Sequence, residues 1–211
     1  HVPFGLVSME DGTMSTRQGR VVFLEDVLNR AVEQTKQIIL EKNVTTENID
    51  ETAHDVGVGA VVFDELSNYM IKDYVFSWDK VLNFEGETGP YVQYTHARAC
   101  SILRRAGEDT VKAAKKGFDT SWITGESAHH LIKLLYALPE VIKEAGEKYE
   151  PSIVTRHIVD IAQGFNKFYH DEHILVEDEK EKTAKVALVL AVQTAIKNGL
   201  GLLGMKAPEK M

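Results

Sequence analysis

The amino-acid sequence predicts a mainly α chain: a helical bundle over residues 89–211, preceded by a helical stem region and, at its start, a short α/β segment. Three observations predict it. From Gly89 onward every periodic stretch repeats its apolar residues at helical intervals. Residues 23–42 space Leu24, Val27, Leu28, Ala31, Thr35, Ile38 and Ile39 in the same way, with charges between them. The opening run Val2-Pro3-Phe4-Gly5-Leu6-Val7 instead reads as a strand already inside a sheet, as if a domain had been cut from a longer protein.

The elements follow in order. After the strand comes a turn at Glu10-Asp11-Gly12, then the polar segment Thr13-Met14-Ser15-Thr16-Arg17-Gln18-Gly19, which has neither period and reads as a mobile loop. The amphipathic helix over 23–42 is followed by another from about Thr52 to Tyr69, and Lys72 to Trp78 reads as a short strand or extended connection. The bundle then reads as about five helices: 90–106, 126–138, 140–149, 152–170 and 180–200. Gly107, Gly117 to Asp119, Pro139, Pro151 and the acidic segment 171–183 supply the breaks. The domain boundary falls near Gly86 to Gly89. No repeat of 20–50 residues and no low-complexity stretch is visible, which argues against solenoids and linkers.

Composition narrows the function classes. With 211 residues and 44% hydrophobic content the chain can bury a sizeable core in one large or two small domains. No apolar run approaches the roughly 18 to 20 residues a membrane helix needs, so no membrane role is expected. The lone cysteine, Cys100, can form no internal disulfide, and with no secretory signal opening the chain the expected compartment is the cytoplasm. The net charge of −8 argues against broad nonspecific binding to nucleic acid. Charge is unevenly spread, however: residues 1–90 carry 7 basic and 16 acidic side chains, 91–116 carry 6 and 2, and 117–211 carry 11 and 14. The basic island at 91–116 reads either as a local phosphate site or as a solvated helix face.

That island contains the most informative helix. At about 100° per residue Val92, His96, Ala99 and Leu103 share one face, and Tyr94, Arg98, Ser101 and Arg105 share the opposite one. A tyrosine one turn from an arginine can hold an unstacked base and its phosphate. It can equally be a surface tyrosine leaning on an arginine stem. His96, at the centre of the packing face, reads as a buried, locally bonded histidine rather than a catalytic base. The helix over 152–170 carries a core stripe of Ile153, Val154, His157, Ile158, Ile161, Phe165 and Phe168. Tyr169 lies at its margin, either lining a groove or simply packing. His170 and His173 with Asp171 and Glu172 bring ligand types close together, yet they read as a solvated helix end, and no metal is expected. Of His129 and His130, about 100° apart, at most one packs. No Ser-His-Asp arrangement, phosphate-binding glycine loop or dinucleotide fingerprint can be read.

Four runs carry a family resemblance: His1-Val2-Pro3-Phe4-Gly5-Leu6-Val7; Met14-Ser15-Thr16-Arg17-Gln18-Gly19; Gly89-Pro90-Tyr91-Val92-Gln93-Tyr94-Thr95-His96-Ala97-Arg98; and the ending Lys197-Asn198-Gly199-Leu200-Gly201-Leu202-Leu203-Gly204 with Pro208 and Met211. In that order, and over essentially the whole chain, they resemble class I arginyl-tRNA synthetases.

The resemblance implies a division into 1–20, the end of a class I catalytic domain; 21–88, a connecting stem; and 89–211, the helical anticodon-binding domain often named DALR. Residues 12–19 would correspond to the KMSKS loop, which closes over ATP and stabilises the departing pyrophosphate. Ser15, Thr16 and Arg17 would act there. Thr13 and Thr16 stand at the two lysine positions, leaving Arg17 as the substitute cation. Matching positions place Tyr94, Arg98, Tyr169 and Met211 at the anticodon loop. The implied function is that of the C-terminal part of an arginine-tRNA ligase, joining arginine to its tRNA with ATP, a substrate accompanied by Mg2+. The partners implied are arginine tRNA, arginine, ATP and an upstream catalytic domain bearing the HIGH signature. Neither that signature nor its fold is readable in these residues, so no ATP is expected to bind and no arginine-dependent pyrophosphate exchange is expected from them alone. The competing expectation, favoured by the acidic charge, is a helical protein-interaction module that binds no nucleic acid.

Overall fold

The computed structural model describes residues 1–10, 12, 21–41 and 48–211. The mainly α architecture is what forms: a two-stranded parallel ribbon and eight α-helices among the described residues. Strand β1 (Val7–Met9) pairs with β2 (Tyr74–Phe76), Val7 opposite Tyr74 and Met9 opposite Phe76. Between them lie α1 (Leu24–Glu41) and α2 (Ile49–Ser67), and the short α3 (Trp78–Val81) follows. The bundle consists of α4 (Gly89–Ala106), α5 (Glu108–Lys116), α6 (Glu126–Lys148), α7 (Ser152–Asp171) and α8 (Glu179–Leu202), with a 3-10 turn at Thr120–Trp122.

Three expectations need correction. The opening strand is shorter and later than 2–7: Phe4 is 81% and Leu6 70% exposed. Residues 5 and 6 only edge the ribbon, through Gly5 N to Met70 O at 2.8 Å and Leu6 N to Asp73 Oδ1 at 2.6 Å. Helix α5 falls where the sequence reads as a break. It buries only Ala114, too little for an apolar stripe to show. The two helices expected on either side of Pro139 are one, α6. Leu131 and Leu138 before the proline and Ala145 after it all enter the same core, and that packing outweighs the lost N–H and the ring clash. His157 Nε2 donates to Leu134 O at 2.9 Å, tying α7 to α6 beside the turn that the proline interrupts.

Helix α4 is the element that positions the site. Thr88 caps it, its Oγ1 accepting from Tyr91 N at 3.3 Å, and Pro90 in the first turn needs no N–H partner. Gly107, at φ 84°, ends it. Helix α4 lies in the middle of the bundle, with α8, α2, α7 and α5 packed around it. The α2 crossing is close: a Cβ on Gly89 would stand 2.8 Å from Phe63 Cβ and 3.1 Å from Gly59 O. The bundle core is built on Phe165, Phe168, Ile158 and Ile161 of α7 with Val189, Ile196 and Leu200 of α8. A separate apolar cluster of Ala31, Ala60, Phe76, Val81 and Leu82 holds the ribbon against α1 and α2.

Candidate nucleic-acid interface

The two faces of α4 sort as their spacing predicts. Val92, His96 and Ala99 are fully buried and Leu103 half-buried; Tyr94 and Arg105 are exposed, Arg98 and Ser101 half-buried. The outward face is narrow because Gln93, Thr95, Ala97 and Cys100 are buried as well, against α2, α7 and α8.

Arg98 sits between two rings. Its guanidinium carbon is 4.9 Å from the Tyr94 centroid and 5.4 Å from that of Tyr169 on α7, both within cation–π range. Asn166, one turn before Tyr169, fixes the remaining direction: its Oδ1 accepts from Arg98 Nη1 at 2.5 Å. The Asn166 amide donates in turn to Tyr91 Oη at 2.8 Å and Thr95 Oγ1 at 3.2 Å. Tyr169 is 42% exposed with one side leaning on Phe165, centroids 6.5 Å apart, so of its two sequence readings the groove-lining one holds.

Two adjoining clefts open on this cluster. One, of about 490 Å³, is lined by Tyr94, Ala97, Arg98, Ser101, Arg104, Tyr169, Lys210 and Met211. The other, of about 570 Å³, lies between α1 and α4, with Ile38, Ile39, Phe84, Glu85, Gly86, Tyr91 and Asn166 beside Tyr94, Arg98 and Met211. The structure thus brings Tyr94, Arg98, Tyr169 and Met211 into one place, although α4, α7 and the residues after α8 are far apart in sequence. Ser15, Thr16 and Arg17, and the expectation of a mobile loop over 12–19, lie outside the described residues except for Gly12.

Met211 arrives there because α4 grips residues 205–211. Gln93 Nε2 donates to Lys206 O at 2.9 Å, His96 Nδ1 to Pro208 O at 2.9 Å, and Arg104 Nη1 to Glu209 O at 3.1 Å. Since a carbonyl only accepts, Nδ1 carries the His96 proton, and Nε2 accepts from Gln193 Nε2 at 3.2 Å. Burial holds His96 below the ordinary histidine range and keeps it neutral, against the opposing pull of its bond to Pro208. It is a structural latch with no free nitrogen, as its place on the packing face suggested. Cys100, buried beside it, has its thiol pushed up by burial. It is no nucleophile.

The other histidine cluster separates. His170 is 89% exposed beside Asp171, while His173 contributes its backbone carbonyl to Lys185 Nζ at 3.1 Å. Lys185 also reaches Glu181 at 2.8 Å and Glu172 at 3.3 Å, which pins the 172–178 segment to α8. Among the described residues no group of three or more His, Cys, Asp or Glu side chains could hold a metal ion, so none is assigned to magnesium. Nor is any described helix long and apolar enough to cross a membrane. Sequence reasoning missed Asn166, Tyr91, Arg104 and Lys210. Only Asn166 left a signal, its spacing of three residues from Tyr169.

Comparison with known proteins identifies the fold and the family. The family model described as the DALR anticodon binding domain matches residues 92–211, and that of the class I tRNA synthetase (R) catalytic domain matches residues 1–78. The arginine–tRNA ligase of Halothermothrix orenii is 58% identical over 211 residues, covering 100% of this chain and 37% of that protein. That of Clostridioides difficile is 54% identical over the same shares. The chain therefore spans little more than a third of the length of the curated relatives it matches. Among solved structures, Thermus thermophilus arginyl-tRNA synthetase superposes with a TM-score of 0.88 at 32% identity, over 99% of this chain and 35% of that one. The Plasmodium falciparum enzyme, at TM-score 0.80 and 23% identity over 99% and 34%, shares the fold. With the family model covering the α4 to α8 bundle, and relatives aligned along its whole length, the chain belongs to the arginyl-tRNA synthetase family with its DALR anticodon-binding domain.

Proposed function

We propose that this chain binds the anticodon region of arginine tRNA in the cleft formed by Tyr94, Arg98, Tyr169 and Met211, and so positions that tRNA for arginylation. One observation carries the reading: the Arg98 guanidinium is held between two exposed tyrosine rings, in a cleft lined by Met211. The rings offer faces on which unstacked bases lie, and the arginine offers donors to a phosphate between them. A net charge of −8 fits such a site, because recognition confined to one cleft needs no basic surface elsewhere.

In the whole synthetase this binding would serve the joining of arginine to its tRNA with ATP, in the cytoplasm where tRNA is charged. Residues 12–19, with Ser15, Thr16 and Arg17, would contribute a KMSKS-type loop toward ATP and pyrophosphate. The units of that work would be 1–20, 21–88 and 89–211. The family models matched to residues 1–78 and 92–211 change over near the last of these boundaries, and the first model runs across the 20/21 one.

Filter binding tests the reading. Arginine tRNA is expected to be retained by the chain at concentrations where an unrelated tRNA passes through, with the difference lost on Tyr94→Ala. Equal retention of both tRNAs by the parent chain would sink it.

A further inference from the structure

Helix α5 extends the proposed site. We propose that a groove between the end of α4 and α5, walled by Arg104, Lys112 and Lys115, is a track for the RNA backbone next to the bases held at Tyr94 and Tyr169. The inference rests on the anticodon reading above and deepens it.

Three observations carry it. First, the grooves adjoin: Arg104 lines both the Tyr94–Tyr169 cleft and the second groove of about 440 Å³. On a helix rising about 1.5 Å per residue, Arg104 stands roughly 9 Å along α4 from Arg98. Second, the groove suits a sugar-phosphate strand. Leu103 and Val111 form an apolar floor against which sugars can pack, and Arg104, Lys112 and Lys115 form the cationic wall. Third, the sign of this wall opposes that of the protein. Within residues 91–116 six basic side chains face two acidic ones, in a chain of net charge −8. Glu108 lies in the groove too, paired with Lys112 at 2.9 Å, but both side chains are exposed, 86% and 64%, and such a pair opens readily to a phosphate. Lys116, the remaining cation of α5, is exposed and outside the groove lining. A polyanionic strand already seated in the neighbouring cleft is the occupant these charges complement.

The experiment measures binding of arginine tRNA against salt concentration for the 211-residue chain and four variants. Lys112→Ala/Lys115→Ala should weaken binding about tenfold at 0.1 M salt and make the log–log salt slope shallower by about 1 to 2. Lys112→Arg/Lys115→Arg should keep the parent slope. Lys116→Ala, equal in charge change per residue but off the groove, should leave slope and affinity unaltered. Tyr94→Ala should weaken binding with the slope retained. An unchanged slope in the Lys112/Lys115 alanine pair, with Tyr94→Ala still defective, overturns the track and leaves the anticodon cleft standing. A loss in Lys116→Ala as large per residue as in the pair also overturns it, because the lysines then act only as diffuse charge. If neither Tyr94→Ala nor the alanine pair alters binding, the anticodon reading falls and the track with it. Circular dichroism should match the parent in every variant, since these lysines are exposed.

Discussion

The His96 imidazole donates from Nδ1 to the Pro208 carbonyl at 2.9 Å, tying the middle of α4 to the segment that ends at Met211. The bond joins residues 112 apart in sequence, so the Met211 side of the cleft depends on a latch inside the bundle. A second proton on the ring would keep this bond and disturb the contact at the other nitrogen. An imidazolium must donate from both nitrogens, and the Gln193 Nε2 amino group facing Nε2 would then oppose it unless the amide turned over.

From this follows a pH dependence. Burial lowers the His96 pKa below its unfolded value of about 6.5, so between that value and the lower folded one the unfolded chain binds more protons than the folded chain. Stability from this group is therefore complete above about pH 6.5 and falls as pH drops through and below it. Neighbouring charges act less strongly and in opposite senses, Lys197 lowering the pKa and Glu209 raising it. Urea midpoints of the parent chain should fall between about pH 6.5 and pH 5 more steeply than those of His96→Gln, which cannot titrate. Parallel curves would show that His96 does not report on folding.

Asn166 should matter to binding although it offers RNA little surface. Its Oδ1 sets the direction of the Arg98 fork, and hydrogen bonds to charged groups are worth about 1.5–3 kcal/mol. Asn166→Ala should weaken arginine-tRNA binding, and the double variant with Arg98→Ala should lose less than the sum of the single losses, by about 0.5–3 kcal/mol. Additive losses in that double-mutant cycle would show that the two side chains act independently.

The α2–α4 crossing gives a stability prediction with its own control. A methyl on Gly89 has Phe63 Cβ at 2.8 Å and Gly59 O at 3.1 Å to displace, so Gly89→Ala should cost about 1–3 kcal/mol in urea unfolding. Gly146, exposed in the last turns of α6 with open space around it, is the opposite case. Gly146→Ala should stabilise by about 0.5–1 kcal/mol. A Gly89→Ala midpoint equal to the parent's would mean that the helices part without cost.

How far the sequence could be read followed how each residue earns its place. Helices α1, α4 and α7 show because each carries an apolar stripe over 18 to 20 residues, and α8 because its 24 residues hold a long apolar run without a proline, buried on nearly every side. Helix α5, buried through Ala114 alone, offers no such stripe, and the continuity of α6 depends on core contacts on both sides of Pro139 that local propensity cannot see. At the site, Tyr94 and Arg98 are legible as a pair four residues apart on one face, and Tyr169 from its place at the margin of a core stripe. Met211 came only from the family resemblance. Asn166 left only its three-residue spacing from Tyr169, because its role lies in the register of α7 against α4, a tertiary fact.

The Tyr94–Arg98 pair allows stacking to be separated from charge. Tyr94 is 40% exposed and, apart from its contact with Arg98, presents its ring to the cleft. Tyr94→Ala should lose about 1–3 kcal/mol of arginine-tRNA binding if a base stacks there, with the salt slope nearly unchanged and a smaller preference over other tRNAs. Arg98→Ala should make the slope shallower by about one phosphate contact and weaken all tRNAs. It should also lose more than the phosphate term, because it leaves Asn166 Oδ1 without its donor and removes the cation both rings share. Arg98→Lys separates these two losses: the charge and the slope stay, while the planar fork that Asn166 and the rings orient is gone, so affinity should fall between parent and Arg98→Ala. All three variants should keep the helicity of the parent, since the substituted side chains lie opposite the buried Val92, His96 and Ala99. Variants that stay folded and bind arginine tRNA like the parent would make this face ordinary surface and move the anticodon site elsewhere.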